Sequence, residues 1–135
     1  EEDEPMREAR HPAGVLAPRG PYSPAVVAAG PLLFVSSQGP LDPVTGAVVP
    51  GGISAEARQA LTNVRAIVEG CGGSLADAVK VTVFLRDLAD FAAMNEVYAE
   101  FFPEPRPART TVQSNLAFSL AIDAIVAVDG DRTVR

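Results

Sequence analysis

Prolines at positions 103, 105 and 107 impose the firmest break in this chain of 135 residues. Proline locks φ and carries no N–H, so no helix or hydrogen-bonded ladder continues through Pro103-Glu104-Pro105-Arg106-Pro107. Upstream, Phe91, Met94, Tyr98 and Phe101 or Phe102 recur at helical spacing, with Asp90 or Asp87 as a cap, and predict an amphipathic helix. Before it, Val79–Leu85 alternates β-branched residues and reads as a strand. Earlier still, Ile53, Ala57, Leu61, Val64, Val68 and Cys71 line one face of a first helix, capped by Ser54 and ended by Gly72-Gly73. Downstream of the prolines, two strands are predicted near Arg109–Asn115 and Leu120–Val128.

The opening of the chain is different in kind. Residues 1–8 hold Glu1, Glu2, Asp3, Glu4 and Glu8 against Arg7, a balance of −4 out of a net −6. Residues 1–13 read as a flexible acidic leader, and 14–135 as a single domain. Two apolar runs, Ala25–Ala29 and Leu32–Ser36, flank Gly30-Pro31 and predict a hairpin; 38–52 is loop. The order ββ–α–β–α–ββ predicts an α+β fold, a mixed sheet with both helices packed on one face. The other face of that sheet still shows Val, Ile and Thr, so a homo-oligomer is expected.

Most enzyme signatures are missing. There is no Gly-rich phosphate loop, and Cys71 is the single cysteine, which excludes a CxxC site and a disulfide scaffold. His11, the single histidine, falls in the leader, so a Ser–His–Asp, Cys–His or zinc site has no fixed base or ligand set. Cys71 reads as a core residue on the apolar helix face. The basic residues, ten of eleven being Arg, are scattered and make a poor footprint for a phosphate backbone. No apolar run reaches membrane-spanning length and no signal-peptide pattern opens the chain, so a soluble cytoplasmic protein is expected.

A few singular polar residues remain. Arg109 opens a strand directly after the rigid proline segment, where its planar fork suits capture of a carboxylate. The plain alternative is a surface arginine paired with Glu104, a role that Arg106 fills better. Tyr22 lies between Pro21 and Ser23-Pro24, off any periodic face, and is either an aromatic plug or a site residue. Asn95 interrupts the second helix, either bonding nearby backbone or facing a ligand.

Seven separated segments then agree in order with one family. They are Gly20-Pro21-Tyr22-Ser23-Pro24-Ala25-Val26, Val35-Ser36-Ser37-Gln38-Gly39, Asp42-Pro43-Val44-Thr45-Gly46, Asn63-Val64-Arg65-Ala66-Ile67, Val79–Leu85, Asn95-Glu96-Val97-Tyr98 and Pro107-Ala108-Arg109-Thr110-Thr111-Val112. Over about residues 14–128 the chain resembles the RidA (YjgF, endoribonuclease L-PSP) family. The resemblance implies a chorismate-mutase-like fold and a homotrimer with clefts between subunits. It also implies cofactor-free, metal-free hydrolysis of reactive 2-imino or 2-enamino acids to 2-keto acids and ammonia. By matching motif, Arg109 would bind the carboxylate, and Tyr22, Ser36, Ser37, Asn95 and Thr111 would line the cleft.

Two departures stand out. Ser37 occupies a position where the family usually has glycine. In the last strand, Leu120-Ala121-Ile122-Asp123-Ala124 puts Ala121 where the family's catalytic glutamate belongs. Asp123 points to the same strand face about 6.6 Å away, which makes it the candidate substitute. The competing reading is a non-catalytic trimeric binding module for small carboxylates such as 2-keto acids. Cleavage of RNA, which the family's older name suggests, fits poorly with an acidic chain that lacks a basic patch.

Overall fold

The computed structural model describes residues 6–130. Six strands and two helices follow in the order β1 (Arg7–Arg10), β2 (Ala25–Ala28), β3 (Leu32–Gln38), α1 (Gly52–Gly70), β4 (Ala78–Leu85), α2 (Phe91–Phe101), β5 (Ala108–Gln113) and β6 (Leu120–Ala127). Short 3₁₀ turns, Leu75–Asp77 and Leu88–Asp90, lead into β4 and α2. A four-stranded mixed sheet, ordered β3-β6-β4-β5, forms one layer. Only β4 and β5, joined through α2, run parallel within it.

The helices pack on one face of this sheet, as the periodicity predicts. Val81, Val83 and Leu85 of β4 and Leu120, Ile122, Ala124 and Val126 of β6 point into that layer. They meet Leu61, Val64 and Val68 of α1 and Met94, Val97, Tyr98 and Phe101 of α2. Ile122 is fully buried at the centre of this contact. Ile122→Ala should destabilise the fold by about 3 kcal/mol, read as a lower urea midpoint with an unchanged slope.

Several expectations need correction. The hairpin across Gly30-Pro31 does not form. β2 pairs instead with β1 in a separate two-stranded sheet, in register Arg7↔Ala28 to Arg10↔Ala25, while β3 pairs with β6. Gly30 takes φ +84° at the point where the chain passes from one sheet to the other. Part of the presumed flexible leader is therefore a strand; its Arg-Glu-Ala-Arg sequence carries no apolar alternation to reveal it. Residues 1–5 of that leader lie outside the described residues.

Ser54 is not the cap of α1, which begins two residues earlier behind Gly51 with no side-chain capping bond. Asp87, not Asp90, accepts a backbone N–H, and it caps the 3₁₀ turn ahead of α2. Cys71 is exposed rather than core, because α1 ends at Gly70 and the helical period no longer applies beyond it.

The opposite sheet face carries Leu32 and Phe34 of β3, Thr82 and Phe84 of β4, Thr110 and Val112 of β5, and Asp123 and Ile125 of β6. Phe34 is 69% exposed there. Among the described residues, no helix is long and apolar enough to cross a membrane.

Candidate functional site

Arg109 lies second in β5, opposite Val81 of β4. Val81 is a core residue, so strand parity sends the Arg109 side chain to the helix layer rather than the open face. There the guanidinium carbon lies 4.8 Å from the ring centre of Tyr98, 5.3 Å from Tyr22 and 5.6 Å from Phe91. Gly20 closes the fourth side. A Cβ at that position would stand 3.3 Å from Arg109 Nη2 and 3.4 Å from the Tyr22 ring, so a larger residue there would press on the guanidinium.

The site is rich in polar atoms without partners. Arg109 Nη1, Asn95 Oδ1, Thr111 Oγ1 and Tyr98 Oη are all buried and make no hydrogen bond. Asn95 stands one turn from both Phe91 and Tyr98 on α2, and so shares their face. Thr111 is two residues past Arg109, on the same side of β5 and opposite Val83. Buried polar atoms in folded proteins are nearly always paired, and each orphan costs about 1–3 kcal/mol. Besides Arg109 Nη1 itself, three such atoms belong to residues on the neighbouring faces of α2 and β5.

Electrostatics agree. Burial pulls the Arg109 pKa below its usual value, with Tyr98 and Tyr22 working partly in the other direction. Burial likewise pushes the Tyr98 phenol well above its usual value, so it stays neutral. Among the described residues no carboxylate pairs with Arg109. Glu104 reaches Arg106 Nη1 at 3.5 Å, so the plain surface role belongs to Arg106. Tyr22 Oη accepts the backbone N–H of Arg19 at 3.2 Å, which pins the ring over Arg109. A cleft of about 510 Å³ shares Gly20 and Tyr22 with this group and opens toward His11, Ser23 and Glu104.

The remaining expected residues gather elsewhere. Asp123 of β6 stands opposite Thr82 and faces the open side of the sheet. Ala121 shares that side, opposite Phe84, and offers no carboxylate. The β3–β6 register shifts between Val35 and Gln38, so Asp123 lies across from the bulged Ser36 and Ser37. Three strand spacings, about 14 Å, separate β3 from β5. One chain therefore brings Arg109, Tyr22, Asn95 and Thr111 together, and Ser36, Ser37 and Asp123 together, without joining the two groups.

Phe91, Tyr98 and Gly20 are site residues that sequence reasoning missed. Helical spacing accounts fully for both aromatics as core, and nothing in the spacing reports that the Tyr98 hydroxyl lacks a partner. The motif Gly20-Pro21-Tyr22 was the available signal for Gly20.

Two helices pack on a mixed sheet, and Arg109, its Nη1 buried and without a partner, stands among three aromatic rings. The chain belongs to the endoribonuclease L-PSP family, the RidA family, whose profile matches residues 13–128. A RutC family protein of Pyrococcus horikoshii is 50% identical over 108 residues, 80% of this chain and 85% of that protein. The 2-iminobutanoate/2-iminopropanoate deaminase of Capra hircus is 42% identical over 105 residues, 78% of this chain and 73% of that protein. The crystal structure of RidA from an Antarctic Psychrobacter is 41% identical, with a TM-score of 0.69, covering 83% of this chain and 92% of that one.

Proposed function

We propose that this protein is an enamine/imine deaminase that hydrolyses reactive 2-imino or 2-enamino acids to 2-keto acids and ammonia. The observation that carries the reading is the buried, unpaired Nη1 of Arg109, with Asn95 Oδ1 and Thr111 Oγ1 also buried and unpaired. A substrate carboxylate supplies the missing acceptor, and a charge-assisted bidentate pair holds it in one orientation. The deaminase name carried by a 42% identical relative supports the same chemistry.

With the carboxylate fixed, water adds to C2 of the C=N bond and a proton passes to nitrogen. The added hydroxyl then gives up its own proton to nitrogen as the C–N bond breaks, so that ammonia leaves and the C2–O bond becomes the carbonyl of the 2-keto acid. No electrons are exchanged, so the reaction draws on no redox cofactor. Asp123, supplied by a second copy of the chain across the open sheet face, takes the proton from the attacking water and returns it to nitrogen. The separation of Asp123 from Arg109 within one chain supports a site shared between copies, in a homotrimer. On this reading Phe34→Glu should lower the oligomeric state in sedimentation velocity, because a charge there meets apolar surface.

Ala121 favours a second reading. With no carboxylate at that position, the cleft would bind small carboxylates without turnover. One assay separates the two. 2-Aminoacrylate is generated from serine by a pyridoxal-phosphate dehydratase and trapped as its semicarbazone while the protein competes for it. Suppressed semicarbazone supports the deaminase. No suppression, with 2-oxobutyrate still protecting the protein against heat, supports the binding module and overturns the deaminase.

A further inference from the structure

The segment that delivers Arg109 into its box cannot supply much of its own backbone bonding. Pro103, Pro105 and Pro107 have no N–H to give, so alternate positions from 103 to 107 lack a donor. The carbonyls are nonetheless held, and by residues far away in sequence. Pro105 O accepts from Arg7 Nη2, Arg106 O from the Ser23 hydroxyl, and Pro107 O from the Ser23 backbone N–H at 3.0 Å. The three consecutive carbonyls of residues 105–107, separated from Arg109 by Ala108, thus hang on two residues.

Both donors are themselves tied to the site's frame. Ser23 is 3% exposed and follows Tyr22, whose ring lies over Arg109. Arg7 also donates from Nε and Nη2 to Ala76 O, at 2.9 and 2.6 Å. Ala76 belongs to the turn that opens β4, the parallel partner of β5. Arg7 therefore spans β1, the foot of β4 and the launch of β5 with one side chain. It also precedes residue 13, where the family profile begins.

We propose that Ser23 and Arg7 are positioning residues for Arg109, setting the height of the Pro105–Pro107 carbonyls so that the guanidinium meets its three rings and its ligand. The proposal rests on Arg109 being the carboxylate anchor, and its test separates the two ideas. In the full-length ¹⁵N-labelled protein, the Arg109 Nε–Hε signal is identified by its loss in Arg109→Ala. The flanking rings displace it from the ordinary arginine position.

In Ser23→Ala and Arg7→Gln the signal should move back toward that ordinary position. Affinity for 2-oxobutyrate should fall about tenfold in both, since small misplacements of a binding group are costly. Arg7→Lys, which keeps a donor, should move the signal less than Arg7→Gln. A merely structural role would lower the melting temperature and leave the signal of the folded protein in place. An unmoved signal in both Ser23→Ala and Arg7→Gln overturns the proposal; should Ser23→Ala fail to fold, Arg7→Gln decides it. Failure of the wild type to bind 2-oxobutyrate would defeat the anchor reading alone, because the signal still reports positioning.

Discussion

Arg109→Ala is expected to abolish deaminase turnover and 2-oxobutyrate binding while leaving the protein as stable as before. The two halves of that result have one cause. A partly buried guanidinium without a carboxylate partner carries a desolvation cost, so deleting it removes that cost along with the contacts. Stacking on Tyr22, Phe91 and Tyr98 offsets part of this, and the net change in folding free energy should lie within about 1 kcal/mol. Binding has no such compensation. Loss of a bidentate charge-assisted pair should weaken 2-oxobutyrate by about 10³-fold or more. Arg109→Lys should recover little, because a point charge cannot reproduce the fork. Calorimetric titration beside thermal melts reads both quantities, and unchanged affinity in Arg109→Ala would remove Arg109 from the site.

Asp123→Asn should lower kcat by about 10²-fold and leave KM nearly unchanged, the signature of a lost proton carrier. Its placement yields a sharper form of the test. Arg109 lies on the helix side of the sheet and Asp123 on the open side two strands away, so under the proposed mechanism a productive site would join one copy's Arg109 to another's Asp123. Mixing Arg109→Ala with Asp123→Asn and allowing subunits to exchange should raise activity well above that of either variant alone. No recovery after verified exchange would mean that the two residues do not share a site between copies. An Asp123→Asn variant with full kcat would leave water attack to proceed without a carboxylate from β6.

How much of this is legible in the sequence differs from element to element. α1 and α2 are legible because burial repeats every turn, and the prolines at 103, 105 and 107 mark the end of α2 unambiguously. β1 is not, since a strand whose residues alternate between half-buried and exposed in Arg-Glu-Ala-Arg leaves no apolar trace. The pairing of β3 is equally hidden. Gly30-Pro31 signals a turn of the chain but not which strand lies beyond it, and β6 competes successfully for the β3 ladder from ninety residues downstream.

The site divides along similar lines. Arg109, Tyr22 and Asn95 stand out because no periodic face accounts for them. Tyr98 is concealed by the periodicity that explains its ring and ignores its hydroxyl. That Asp123 faces away from Arg109 follows only from strand register, which no spacing along one chain reveals.

The two-stranded sheet has a practical bearing on where this protein can be cut. The family profile starts at residue 13, and a fragment trimmed to that boundary would look complete. It would lack β1, leaving the Ala25–Ala28 edge with open donors and acceptors on an apolar Ala-Val-Val-Ala ribbon. Such an edge is a template for any extended chain that meets it, and aggregation of the trimmed fragment is the natural result. The stretch shared with the family thus stops short of one paired strand of this fold, the β1 that carries Arg7.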